Sequence, residues 1–223
     1  LPREVIDREV SMIEELGVEF RLNTRFGKDV HFDQLKAEGF EAFLIAIGAH
    51  DSQKLGIKGE DQYPQVTDAV SYLRRVSLGD RRKPGRRVAI LGGGNTAIDA
   101  ARTSLRLGCQ EVTIIYRRSR FDMPANEEEV EQAEEERVGF SFLTVPMEII
   151  GEDGKVTSLR CVRTELGPED QSGRRRPVPI QDSDFELPVD AVISSIGQRV
   201  DPRGFEFLDK LEWTRRDTVK TDT

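Results

Sequence analysis

The sequence predicts an α/β protein in which a three-layer domain is inserted between two flanking segments. Three observations predict it. Residues 88–116 lay out a strand, a glycine turn, a helix and a second strand, within the roughly 30 residues that a β-α-β unit takes. Segments 41–48 and 190–197 share one residue pattern and bracket that unit. From Phe140 onward short β segments alternate with turns at Asp153-Gly154 and Gln171-Ser172-Gly173, which suggests an antiparallel meander.

The elements follow in order. Pro2 to Gly17 reads as a helix, with Val5, Ile6, Val10, Ile13 and Leu16 at near-helical spacing and Gly17 placed to stop it. Val18 to Leu22 reads as a strand, and a short helix is expected around Asp33 to Lys36. The run Ala42-Phe43-Leu44-Ile45-Ala46-Ile47 has the continuous apolar character of a strand buried on both faces, and it ends at Gly48. A polar connector from Lys54 to Gly85 carries a helix near Asp68 to Arg75 and closes on the basic run 81–85. Val88 to Leu91 is then a strand, Thr96 to Leu107 a helix closed by Gly108, and Val112 to Tyr116 a second strand. Pro124 sits near the start of a further helix filled by the acidic run Glu127 to Glu136, with Val130 and Ala133 on its inward side.

The echo gives the domain plan. Residues 41–48 read as acid, Ala, three large apolar residues, a small residue, Ile and Gly, and residues 190–197 follow the same order with Ser194 in place of the third apolar residue. Taken as the strands by which the chain leaves and re-enters a parent domain, they set the expected boundaries: a first flank at 1–52, the inserted domain at 53–189 and a return segment at 190–223. The chain begins Leu1-Pro2-Arg3 and its last residues, 219–223, alternate like a strand, so both ends read as cuts in a longer protein.

The chemistry is concentrated at the glycine turn. Gly92-Gly93-Gly94-Asn95-Thr96-Ala97 follows a strand and opens a helix, the context that makes G-x-G-x-x-A a dinucleotide fingerprint. Gly92 permits the tight turn, Gly94 lets the backbone approach a pyrophosphate, and Ala97 allows the helix to pack closely on the strand. The first-turn N–H groups, from Asn95 and Thr96 onward, then meet the diphosphate at the positive end of the helix dipole. The expected domain is therefore Rossmann-like. NAD and FAD sites place an acid at the end of the second strand to accept hydrogen bonds from the ribose hydroxyls. Here Tyr116 is followed by Arg117-Arg118-Ser119-Arg120, and an arginine fork suits a 2′-phosphate that a carboxylate would repel. The cofactor expected is NADP(H).

Other features read more plainly. Arg174-Arg175-Arg176 is expected to be an exposed hairpin arm, with a docking surface as the alternative. Cys109 and Cys161 form no C-x-x-C and read as packing residues, and neither His31 nor His50 has a partner pattern. No metal site and no general acid or base are expected of this chain. A net charge of −8 argues against nucleic acid as the main partner. No apolar run approaches the roughly 20 residues that cross a bilayer, so no membrane association is expected, and the cysteine usage suits a cytoplasmic setting.

Together, residues 1–9, Arg21-Leu22-Asn23-Thr24, Ala46-Ile47-Gly48-Ala49, residues 92–102, Tyr116-Arg117-Arg118 and Met123-Pro124-Ala125 resemble the small (beta) subunit of NADPH-dependent glutamate synthase. The similarity covers essentially the whole chain. It implies a flavoprotein of the FAD-dependent pyridine-nucleotide oxidoreductase type, in which NADPH passes a hydride to FAD and electrons go on to iron–sulfur clusters and a glutamate synthase large subunit, or another electron-accepting partner. Under the resemblance, Gly92, Gly93, Gly94, Asn95, Thr96 and Ala97 hold the pyrophosphate and Arg117 and Arg118 the 2′-phosphate. Gly48 and Gly197 lie at the crossings between the nicotinamide domain and an incomplete FAD-domain framework, formed by the flanks 1–52 and 190–223. The family's FAD fingerprint and cluster cysteines are absent from the sequence, so the chain by itself is expected to carry no flavin. Its usual Thr before Gly48 is Ile47, and its usual Glu-Glu-Gly-Val is Glu135-Glu136-Arg137-Val138, which leaves the stop of the acidic helix open. Two rival readings are a stand-alone NADP(H)-binding or sensor module and a related flavin oxidoreductase with another acceptor. A thioredoxin-reductase-like enzyme is disfavoured by the lack of C-x-x-C.

Overall fold

The structure is a computed structural model that describes residues 2–169, 173–200, 212, 214, 219 and 220. The expected turn residues Gln171 and Ser172, and most of the second flank beyond Val200, lie outside these. The chain forms two compact units: one takes residues 50–199, the other the segments on either side of it.

The smaller unit contains helix α1 (Arg3–Glu15), which gives way at Leu16 to Gly17 with φ of 91°, and the short helix α2 (Phe32–Ala37). The two expected strands do not form. Val18 to Leu22 and Ala42 to Ile47 carry no strand, and Leu44 is 92% exposed. The reason is pairing: a strand exists only when a neighbour takes its N–H and C=O groups, and a two-face apolar strand needs neighbours on both edges. No described residue supplies them.

The larger unit begins and ends on one short antiparallel pair, β1 (Asp51–Ser52) against β10 (Gln198–Arg199), which the Arg199 Nε to Asp51 Oδ2 bond of 2.7 Å reinforces. Between them run β2 (Val66–Asp68), α3 (Ala69–Ser77), β3 (Arg87–Leu91), α4 (Asn95–Arg106), β4 (Glu111–Ile115), α5 (Glu127–Glu135), β5 (Gly139–Ser141), β6 (Thr144–Glu152), β7 (Lys155–Glu169), β8 (Arg175–Pro188) and β9 (Ala191–Ser194). Five strands form a parallel sheet in the order β2-β9-β3-β4-β5, and β6, β7 and β8 form an antiparallel sheet of their own.

Strand alternation builds two cores. Val88 and Ile90 of β3, Val112 and Ile114 of β4 and Ile193 of β9 face α3, α4 and α5, where Tyr72, Ile98, Ala101, Val130 and Ala133 meet them. Ala89, Leu91, Ile115 and Val192 face the other way, onto Ile149, Val156, Leu159 and Cys161 of the antiparallel sheet. Helices, parallel sheet and antiparallel sheet make the three layers that the sequence predicts. Both faces of β3 are covered, which is why its sequence is an unbroken apolar run.

Two placements differ from expectation. Phe140 lies in β5, paired in parallel with β4 at Ile114, so the meander begins only at Thr144. Ala191 to Ser194, expected in the return flank, is instead the strand between β2 and β3 and belongs to the larger unit. Asp190 explains its seat: its carboxylate accepts from the Arg86 and Arg87 backbone N–H groups and from the Arg87 guanidinium at 2.7 Å, aligning the starts of β9 and β3.

Candidate functional site

Beyond the carboxyl ends of β3, β4 and β9 the larger unit opens a cleft of about 760 Å³. Open α/β sheets bind ligands at such strand ends. One wall is the turn that leaves β3. Gly92 has φ of 143°, and a Cβ there would sit 2.2 Å from the Ser195 carbonyl oxygen; at Gly93 it would meet the Tyr116 ring at 2.6 Å. Both glycines are required by the protein itself.

Gly94 is different. Its φ is an ordinary −93°, and the nearest atom to an added Cβ is Pro124 Cγ at 3.9 Å. Neither backbone nor packing calls for glycine at this position, and it lines the cleft. A Cβ would project into space that a ligand's backbone-bound group would need. Gly94 also caps α4, whose first N–H groups, those of Asn95 and Thr96, have no acceptor a turn earlier in the helix. They supply the positive end of the helix dipole. Ala97 is fully buried against the sheet. The Asn95 side chain accepts from the Asn126 N–H at 2.8 Å, and the Ala125 N–H donates to the Gly93 carbonyl at 3.2 Å, so the Met123-Pro124-Ala125 segment is fastened to the glycine turn.

The basic end of the cleft follows β4. Tyr116 donates through its hydroxyl to the Asp122 carbonyl at 2.7 Å, and this closes the loop that carries Arg117 and Arg118. The two arginines are not equivalent. Arg117 is exposed, whereas Arg118 is only 3% exposed and donates from Nε to the Arg175 carbonyl at 2.7 Å. Arg118 therefore serves the fold as well as the cleft.

Gly92, Gly93, Gly94, Thr96, Arg117, Arg118 and Gly197 all line this one cleft. Asn95 and Ala97 stand beside and beneath its turn, and Gly48, with φ of 68°, belongs to the smaller unit. Sequence reasoning missed several polar lining residues. Ser194, 7% exposed, ends β9 with an Oγ that finds no hydrogen-bond partner among the described residues, and Ser195 lies next to it. Arg174, expected on an exposed arm, is exposed but also reaches back to the cleft, donating to the Tyr116 hydroxyl and the Asp122 carbonyl. The signals were the small residues at the end of the 190–197 echo and the second arginine cluster. The thiols take no part: burial pushes Cys161 up to about 12 and raises Cys109 as well. Among the described residues no cluster of His, Cys, Asp or Glu could hold a metal, and no helix is long and apolar enough to cross a membrane.

A glycine turn at a helix start, a buried hydroxyl and arginines after the second strand thus share one cleft, with N–H donors at one place along it and positive charge at another. Residues 14–223 match the pyridine nucleotide-disulphide oxidoreductase family. The chain belongs to that family.

Curated proteins similar to this chain include the NADP(+)-dependent formate dehydrogenase subunit beta of Moorella thermoacetica, 45% identical over 226 residues. The NADPH-Fe(3+) oxidoreductase subunit beta of Geobacter sulfurreducens is 42% identical over 203 residues. The glutamate synthase [NADPH] small chain of Escherichia coli is 37% identical over 221 residues. These alignments take in 100%, 90% and 94% of this chain but 31%, 30% and 46% of the relatives, so the chain spans a third to a half of their length. The glutamate synthase resemblance is thus one among several, and relatives of higher identity bear other names. Among solved structures, Mycobacterium tuberculosis FprA in complex with NADPH superposes with a TM-score of 0.67 at 23% identity, over 86% of this chain and 56% of that one. The thioredoxin reductase of T. acidophilum gives 0.58 at 20%, over 79% and 50%. At these identities the likeness is one of fold.

Proposed function

We propose that this chain is the NADP(H)-binding portion of a flavoprotein oxidoreductase in which a hydride passes from NADPH to FAD. The observation that carries the reading is Gly94, a glycine in the dinucleotide-fingerprint position that lines the cleft although neither its φ nor its packing requires one. In this reading the turn at Gly92, Gly93 and Gly94 and the first turn of α4, with Asn95, Thr96 and the closely packed Ala97, hold the pyrophosphate. Arg117 and Arg118 take the 2′-phosphate. Ser194 Oγ gains the hydrogen bond it otherwise lacks. Gly48 and Gly197 mark the crossings to the flavin-domain framework, to which residues 1–52 and the segment beyond β10 contribute.

When bound, the nicotinamide and flavin supply the redox chemistry, and the chain's own residues bind, orient and exclude water. Iron–sulfur clusters, in the full-length protein or its partner, and an electron-accepting subunit would take the electrons onward. A glutamate synthase large subunit is the partner that the small-chain relative favours; the NADPH-Fe(3+) relative favours another acceptor, and in the NADP(+)-dependent formate dehydrogenase relative the nicotinamide is itself the acceptor. The cysteine usage suits a cytoplasmic setting.

Calorimetric titration of NADPH and NADH tests the reading. The chain should bind NADPH more tightly than NADH, and Gly94→Val should abolish binding of both while the protein remains folded by circular dichroism. Equal affinity for the two nucleotides, or an unchanged NADPH affinity in the folded variant, would overturn it.

A further inference from the structure

Beyond its pairing with β6, the β7–β8 pair is fastened to the loop that follows β4. Its attachments are specific. The Thr164 hydroxyl donates to the Arg117 carbonyl at 3.2 Å, the Thr164 N–H to the Leu143 carbonyl at 2.8 Å, and the Leu143 N–H to the Arg118 carbonyl at 3.0 Å. Arg118 returns the connection through its Nε bond to the Arg175 carbonyl. Arg175 closes the hairpin on itself, donating to the Gly167 and Leu166 carbonyls.

Held this way, Arg174 projects across the mouth of the loop. Its Nη2 donates to the Tyr116 hydroxyl at 3.2 Å and to the Asp122 carbonyl at 2.9 Å, both of them parts of the turn that presents Arg117 and Arg118. All three arginines line the one cleft. Three guanidiniums brought together at the end of β4, in a chain of net charge −8, form a local field that suits a phosphate dianion far better than a hydroxyl.

We propose that Arg174 is a third determinant of cofactor choice, by which the β7–β8 hairpin adds a guanidinium to the 2′-phosphate site of Arg117 and Arg118. The inference rests on the NADP(H) reading of the cleft. It adds that specificity is shared between the loop after β4 and a hairpin more than 50 residues downstream, so the antiparallel sheet takes part in recognition as well as in covering the parallel one. Arginine suits the position because a planar fork can keep its bonds to Tyr116 and Asp122 while presenting another edge to a phosphate.

The test compares wild type, Arg174→Ala and Arg174→Lys with four probes at fixed ionic strength: NADPH, NADH, 2′,5′-ADP and 5′-AMP. The last two differ only in the 2′-phosphate and carry no nicotinamide. Arg174→Ala should weaken NADPH and 2′,5′-ADP by about tenfold, leave NADH and 5′-AMP within twofold, and flatten the salt dependence of NADPH binding. Arg174→Lys should recover part of the loss, because the charge remains and the fork does not. Equal weakening of NADPH and NADH would make Arg174 a brace for the loop and overturn the proposal. So would an unchanged NADPH affinity in Arg174→Ala, and if Gly94→Val still abolishes binding, the proposal alone fails and the reading of the cleft stands. A wild type that binds neither nucleotide overturns both.

Discussion

At Arg117 and Arg118, neighbours in sequence, the structure separates two roles. Arg117 is exposed at the cleft, so Arg117→Ala should weaken NADPH roughly tenfold, leave NADH unchanged and move the thermal unfolding midpoint by no more than about a degree. Arg118 is buried with its Nε on the Arg175 carbonyl, so Arg118→Ala should also remove about 1–3 kcal/mol of stability, by stranding that carbonyl and opening a gap behind it. Titration of both nucleotides alongside denaturant unfolding separates the two effects; equal stability losses in the two variants would show that the division of labour is wrong. The glycines divide in the same way. Gly92→Ala would place a Cβ 2.2 Å from the Ser195 carbonyl oxygen on a backbone with φ of 143°, and should cost about 2–3 kcal/mol or more. Gly94→Ala meets nothing closer than 3.9 Å, and its unfolding midpoint should stay near that of the wild type.

The end of α5 shows what an element can and cannot reveal by itself. Asn126 caps its start by accepting from the Glu128 N–H, and three glutamates in the first turn favour the dipole. Its other end is a full Schellman turn: the Val138 N–H donates to the Ala133 carbonyl and the Arg137 N–H to the Glu134 carbonyl, both at 2.9 Å. The residue at the left-handed position is Arg137, with φ of 70°. The helix stops there despite the side chain, because buried Val138 anchors the turn in the core. Arg137→Gly should therefore stabilise the protein by about 0.5–1 kcal/mol, since glycine takes this conformation without strain. Chemical denaturation reads the change directly, and a loss of stability would mean that the Arg137 side chain holds something that outweighs the strain.

For the whole unit, the order of the parallel sheet depends on a contact between residues about a hundred positions apart. Asp190 holds the start of β9 to the start of β3, and the hydrogen bonds from the Arg87 guanidinium, followed by those from the Arg87 and Arg86 backbone N–H groups, keep its carboxyl below the ordinary range. Protonation is thus harder in the folded state than in the unfolded one. The stability that Asp190 contributes is complete above the ordinary carboxylate range and is lost as pH falls through the depressed folded value. Asp190→Asn should cost about 1–2 kcal/mol at neutral pH, and the gap to wild type should close steadily below pH about 4. Urea midpoints measured across pH would show this convergence; a gap that stays constant down to acid pH would assign the loss to packing and not to charge.

The sequence by itself determined what is local. The strand, glycine turn, helix and strand of 87–115 are legible because an apolar run, three glycines and a helix stop at Gly108 each act within a few residues of themselves, and the arginines that follow need only the end of β4 to be placed. The Asp153-Gly154 turn and the inward Val130 and Ala133 are legible for the same reason. Tertiary structure alone decided the pairings. Ala42 to Ile47 and Ala191 to Ser194 carry nearly the same pattern, yet the second is the buried strand between β2 and β3 while the first has no strand beside it among the described residues. An apolar run encodes a willingness to pair, and the partner comes from elsewhere in the chain. Arg174 and Ser194 are illegible on the same ground: a hairpin arm and a strand end come to line the cleft only when long-range pairing carries them there.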